Sequence, residues 1–408
     1  MLTSRDKVLI KVVSRHGFYL LIFVLAILSY IYGSVFQSSQ RASNLKVLVV
    51  DYDGDLVSES LRQAYTSLKG RAFLSLEYGP VSDFDSVASI EQAVCSRRFW
   101  AGIFIHAHTT ERLLRTLAGN TTLPYNLTDA VTFVYNGARY PVVAQSFIAA
   151  DLQRLAAASS QVLYEVHGKA LLSGVNQDSQ LAVSALFQPL PSSTIVLHSM
   201  VQGTRILLNT ITMVVAPLIQ FFFVMAQDHV SSALSIFRET KARTLYLRRL
   251  LSSKVFALLA GLPVAAVTYG FRENWELTGT QFVEIWLVWA FYMDISYLVM
   301  DSVIGTLIQL KYAPFFIFSW IILNVTSTLF PFELNPGFYK WGYALPAHNV
   351  WSLLMQIYSR GCASQLEVAL PVLFVWWLMG TFSSAAAVWR KTTTAKASSQ
   401  KSSVANGK

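Results

Sequence analysis

The sequence predicts an α-helical membrane protein, a bundle of six transmembrane helices with an extracytoplasmic α+β domain inserted between the first and the second. Three observations carry that expectation. Hydrophobic residues make up 53% of the chain and charged residues only 13%, against about 25% charged in a soluble domain. Six apolar runs have the length of a bilayer crossing. The Lys and Arg residues behind the net charge of +9 gather beside those runs, in the first 15 residues, in 238–254 and after Trp389. That is the charge pattern of cytosolic loops, and it argues against a nucleic-acid partner.

The first run, 17–36, holds 20 residues without a charge, about 30 Å of helix. It is too long for the apolar region of a cleaved signal peptide and reads as a retained anchor. Arg5, Lys7, Lys11 and Arg15 face a single Asp6 ahead of it, so residues 1–16 belong in the cytosol. No span-length run recurs before Ile206, which makes 37–205 the extracytoplasmic domain. "LKVLVVDYD", "AFLSLEY", "FWAGIFI" and "AVTFVYN" have the composition of strands, and 57–69 and 86–96 read as helices. Within 141–172, Val143, Phe147, Leu152, Leu155, Val162 and Leu163 recur at mixed three- and four-residue steps. That spacing predicts one long amphipathic helix.

The remaining spans are 206–226, 255–271, 282–300, 312–329 and 370–389. Pro217, Pro263 and Pro371 fall inside three of them, which suits a packed bundle whose neighbours satisfy the freed carbonyls. The basic segment 227–254 is expected as a cytosolic loop; its part 235–254 reads equally as a helix lying on anionic lipid or as a plain basic loop. The low-complexity tail 390–408 is expected to be disordered and cytosolic. Residues 330–369 form an outer loop, whose aromatic- and proline-rich part 330–346 tucks back toward the membrane. Both termini then lie in the cytosol, with the chain in the plasma membrane or an endomembrane.

"KVLVVDYDGDLVSE" looks like the opening of a metal-dependent phosphatase, with Asp51, Asp53 and Gly54 after an apolar strand. Such a hydrolase also needs a downstream Lys and a second acidic pair, and 56–205 has no matching pattern. A calcium loop fails too, because Leu56 and Arg62 occupy its sixth and twelfth positions. The aspartates read as strand-ending Asx turns or a helix cap, with adventitious divalent-cation binding as the other reading. His106 and His108 lack a third ligand at metal spacing, and no phosphate-binding loop occurs. No catalytic residue, metal or cofactor is assigned, and the chain is expected not to be an enzyme.

Glycosylation sequons begin at Asn120 and Asn126 in the extracytoplasmic domain; a third match, at Asn324, lies inside a span. Cys95 and Cys362 share the oxidising side, but with 267 positions between them their pairing stays open. The acids of the fourth span stand out: Glu284, Asp294 and Asp301. Asp294 and Asp301 are seven apart, within about 20° on one helix face. An acid in hydrocarbon normally faces a cavity, a partner or a substrate path. Two readings stay open. In one, these acids form a cation or proton site on a transport path; in the other, Glu284 and Asp301 sit at the two interfaces and only Asp294 is inside, paired with a polar neighbour.

The blocks "VLVVDYDGDLV", "FWAGIFIHAHTTERLLRTLAG", "VYNGAR" and "FYKWGYALPAHNVWSLL", set in this layout, resemble the fungal nitrosoguanidine-resistance membrane proteins. They are distantly similar to phage-infection-protein-like membrane proteins and to ABC-2-type permease domains. The resemblance covers roughly 15–390 and implies an ABC-2-permease-like transporter or drug- and toxin-resistance protein. Its expected action is export of small amphipathic compounds or an influence on lipid organisation. The partners it calls for are membrane lipids, an amphipathic substrate, and a separate ATPase or a second copy of the chain. It brings no catalytic residues. The alternatives are a non-transporting membrane regulator or scaffold, and an accessory factor of a secondary-metabolite pathway.

Overall fold

A capping box starts the first helix. Thr3 accepts from the Asp6 N–H and Asp6 accepts from the Thr3 N–H, so α1 begins at Ser4 and runs to Val35. The expected N-terminal tail is thus largely helical. The computed structural model describes residues 3–120, 130–200, 203–304 and 306–406; the sequon at Asn126 lies outside them.

Beyond α1 the chain builds a five-stranded sheet from β1 (Lys46–Asp51), β2 (Ser75–Tyr78), β3 (Ala101–Ile105), β4 (Val131–Asn136) and β5 (Ser192–Leu197). The order is β2-β1-β3-β4-β5. Only the β3–β4 pair is antiparallel, with Ile103 opposite Phe133. Period-two alternation sends Val47 and Val49 to one face, in one core with α2 (Leu56–Leu68) and α4 (Thr109–Leu117). Leu48 and Val50 point to the other, against α3 (Val87–Cys95). Burial on both faces is why β3 reads as an unbroken apolar run. At Gly102 a Cβ would land on the Ile90 side chain, so the missing side chain lets α3 lie close on β3. β5, "SSTIVL", was not among the expected strands. It is a half-exposed edge whose serines and threonine hide the alternation.

The 141–172 stretch is helical throughout: α5 (Pro141–Val143), a π-helical turn (Ala144–Ala149) and α6 (Ala150–Ser173). The widened turn shifts the apolar stripe by one position, which accounts for the mixed spacing. After α7 (Gln180–Phe187) come α8 (Ile211–Ala233), α9 (Ile236–Glu239), α10 (Ala242–Gly270), α11 (Gly279–Val303), α12 (Ala313–Leu329), α13 (Pro346–Tyr358) and α14 (Leu366–Asn406). Six helices of the described chain are long and apolar enough to cross a membrane: α1, α8, α10, α11, α12 and α14.

Three boundaries differ from expectation. The 227–254 segment is not a loop, because no Pro or Gly interrupts it; only 234–241 separates α8 from α10, and α9 lies within that link. Arg249 and Lys254 therefore sit on the helix that enters the membrane. The 390–408 tail continues α14 to Asn406 rather than being disordered. It too lacks Pro and Gly up to that point, and Val388 and Ala395 pack with Phe237 and Leu245. The 330–369 loop contains α13, begun by Pro346 at its first turn. Val350, Trp351 and Leu354 are fully buried where α13 packs on α11, α12 and α14. At 13 residues α13 is too short to register as a span.

Candidate functional site

Helix α11 carries the three acids singled out in the sequence, and the structure divides them. Asp301, near its C-terminal end, has no exposed surface. Its Oδ1 lies 2.6 Å from Arg249 of α10 and 3.3 Å from Lys391 of α14, and its Oδ2 accepts from the Ser384 hydroxyl at 2.5 Å. Asp228 of α8 joins both cations, 2.8 Å from Arg249 and 2.9 Å from Lys391. Two turns earlier Asp294 pairs with Lys254 and accepts from the Trp377 indole at 2.9 Å. The Lys254 ammonium stands 5.0 Å from the Trp377 ring centre. Three carboxylates and three cations from four helices thus balance one another inside the bundle. Asp301 is buried by protein, because Arg249 and Lys391 come from helical extensions expected to be loop and tail and meet it there.

The network continues in neutral hydrogen bonds. Tyr297 donates to Gln227 at 2.6 Å, and Gln227 donates to Ser252 at 2.7 Å. On the remaining faces lie buried polar atoms with no hydrogen-bond partner among the described residues: the Gln220 amide on α8, the Tyr292 and Ser296 hydroxyls on α11, and Asp294 Oδ1. Inside a membrane such atoms are expensive, and each calls for an explanation.

Glu284 belongs to neither group. It is exposed and lines a cavity of about 720 Å³ between α11, α13 and α14, walled by Leu287, Val288, Leu353 and Ile357. Gln281, one turn before it, caps α11 through Thr278 and donates to Ile357 O at 2.6 Å, which fixes the wall. Arg360 on the rim pairs with Glu276 at 3.1 Å. Apolar walls with one free carboxylate suit an amphipathic cation.

Other candidate residues take structural parts. Asp51 Oδ1 accepts from the N–H groups of Asp53 and Gly54 at 3.1 and 2.9 Å, and Asp53 accepts from the Thr110 N–H at 3.0 Å. Gly54 has φ +64°, so the turn requires its freedom. His106 reaches the Thr132 hydroxyl at 2.8 Å, and His108 lies 3.4 Å from Glu111. Asn120 is exposed at the end of α4. Asn324 is buried, its Oδ1 accepting from the Ala347 N–H at 3.1 Å. Cys95 and Cys362 form a disulfide that ties α3 to the turn after α13.

Arg139 carried no sequence signal. It is buried over the Trp100 ring, 3.5 Å from its centre, and donates to Phe99 O at 3.1 Å. Burial, with Arg97 nearby, pushes its guanidinium down to about 9. The other members of the network, Asp228, Arg249, Lys254 and Lys391, lie in segments whose basic residues the sequence marks as cytosolic or lipid-facing, with no signal of a buried partner.

A Saccharomyces cerevisiae protein named as an uncharacterized endoplasmic reticulum membrane protein is 40% identical over 48 residues, 12% of this chain and 9% of that protein's length. No solved structure matches. The six apolar helices and this relative make the chain an integral, multi-pass membrane protein. A family model described as a protein of unknown function, DUF3533, matches residues 16–382, and the chain belongs to that family.

Proposed function

We propose that this protein exports small amphipathic compounds across its membrane, in the manner of an ABC-2-permease-like or resistance protein. The observation that carries the reading is the set of buried polar atoms without partners among the described residues on α8 and α11, the helices that also carry Asp228, Asp294 and Asp301. A bundle that keeps such atoms in hydrocarbon, at several kcal/mol for an unsatisfied group, offers them to something that passes. The cavity at Glu284 would take the apolar body and cationic end of the compound. The network would hold α8, α10, α11 and α14 in one arrangement and exchange partners in another, since balanced buried charges can re-pair without leaving one uncompensated. On this reading the network end and both termini lie in the cytosol and the sheet lies on the other side. The yeast relative's name points to an endomembrane. ATP, where export needs it, is hydrolysed by a separate chain.

The test is Asp294→Asn in cells that depend on the protein, at matched protein levels, with a fluorescent amphipathic amine as reporter. Export predicts several-fold higher accumulation in the variant. Unchanged accumulation overturns the reading. A non-transporting regulator of lipid organisation is the second reading, favoured by the closed packing of Lys254 and Trp377 on Asp294. It predicts unaltered accumulation with a changed lipid distribution.

A further inference from the structure

Where α1 leaves the bundle, a second cavity opens that the export reading does not use. It measures about 610 Å³ and is walled by the turn after α1 and by the segment between α12 and α13. The two walls are tied: Arg41 donates to Phe36 O at 2.7 Å and to Leu334 O at 3.4 Å, and Asn44 donates to Glu333 O at 2.7 Å. Arg41 and Asn44 thus tether the α1 side of the cavity to the main chain of the opposite wall.

Its lining is cationic. Arg41, Arg71 and Lys340 face it against one acid, Glu333, and Glu333 lies within electrostatic reach of Arg97 and Arg139 behind the wall. Among the described residues neither the Arg71 guanidinium nor the Lys340 ammonium forms an ion pair. A second observation is independent of charge. Asn335 also lines the cavity; it is 4% exposed, and neither its amide nitrogen nor its amide oxygen has a partner among the described residues. A buried amide of that kind normally has a ligand or a protein group to meet.

The position decides which anion. Tyr30, near the end of α1, packs on Phe338, Tyr339 and Trp341, and Phe338 and Trp341 keep 70% and 41% of their surface exposed. Exposed aromatics at the end of a span mark headgroup level. Guanidinium forks at that level match phosphate oxygens. From the cationic cavity, the orphaned Asn335 amide and the aromatic rim together, we infer that this site binds the phosphate of an anionic lipid headgroup. Arg41, Arg71 and Lys340 would hold the phosphate oxygens, and Asn335 would donate its amide N–H.

The test titrates the purified full-length protein with phosphatidic acid and, separately, phosphatidylcholine, counting bound lipids by native mass spectrometry. A second arm uses soluble glycerol 3-phosphate as competitor. The expected result is one phosphatidic acid bound at least tenfold more tightly than phosphatidylcholine. Arg71→Gln with Lys340→Gln should weaken it about tenfold or more, and Arg71→Lys should retain part of it, since an ammonium keeps the charge but not the fork. Both side chains are exposed, and Lys340→Gln alone serves if the double variant does not purify. Undiminished phosphatidic acid binding in a variant that melts like the wild type overturns the assignment. Displacement by glycerol 3-phosphate at equal affinity overturns it as well, in favour of a free phosphate ester.

Discussion

The two ends of α11 put the same kind of side chain to opposite uses. Asp301 and Asp294 sit among helices α8, α10 and α14, each held by cations and by a hydroxyl or indole donor. Glu284, three turns toward the N-terminus, is exposed in an apolar cavity with no cation across from it among the described ion pairs. Sequence spacing alone treats these acids as one set. What separates them is which neighbouring helix brings a base to the same depth. A carboxylate that meets a cation can be buried; one without a cation stays where solvent or a ligand reaches it.

That contrast can be broken by mutation. The largest effect is expected from Asp301→Asn, which leaves Arg249 and Lys391 with Asp228 alone. Loss of one partner from a buried ion cluster costs about 3–5 kcal/mol, to be read as a lowered denaturation midpoint in detergent. A stability equal to the wild type would show that the network does not hold the bundle. The end of the bundle that carries α13 should respond instead to pH. His348, on α13, faces Ser327 O at 3.2 Å, and burial depresses it to about 4. Its folded value lies below the ordinary 6.5, so neutral imidazole is favoured in the folded state. The stability it contributes is fully present above pH 6.5 and is lost as pH falls from 6.5 toward 4, by about 3 kcal/mol in all. Melting curves across that window check it, and His348→Gln should flatten them.

Ser384→Ala sharpens the contrast by removing one neutral donor to Asp301 while leaving every charge in place. The expected cost is about 2 kcal/mol, as for a hydrogen bond to a charged group. A double-mutant cycle with Asp301→Asn should show the two costs to be non-additive. The smallest change in stability belongs to Glu284→Gln, within about 0.5 kcal/mol of the wild type. If export is the function, the same substitution should still reduce the retained affinity for an amphipathic amine. A large stability loss at Glu284 would erase the distinction between the two ends.

How much of this was legible in advance follows from how far each signal extends along the chain. The six apolar helices and the first four strands show themselves within a window of a few to twenty residues. The misplaced boundaries came from treating charge as the end of a helix. "KARTLYLRRLLSSK" and "RKTTTAKASSQK" are basic, yet nothing in them breaks a helix, and α10 and α14 run straight through. α13 was hidden because it is short and buried by its neighbours rather than by lipid. β5 was hidden because it lies at the edge of the sheet and is polar on one side.

Hydropathy and the absence of helix breakers are properties of neighbouring residues, so the chain itself determined that it crosses a membrane and where its long helices run. The pairing of Asp301 with Arg249, 52 positions away, and with Lys391, 90 positions away, is of another kind. So are the meeting of Cys95 with Cys362 and the closing of the cavity around Asn335. Each depends on which helices pack together and at what depth, and only the folded arrangement of the whole chain decides that.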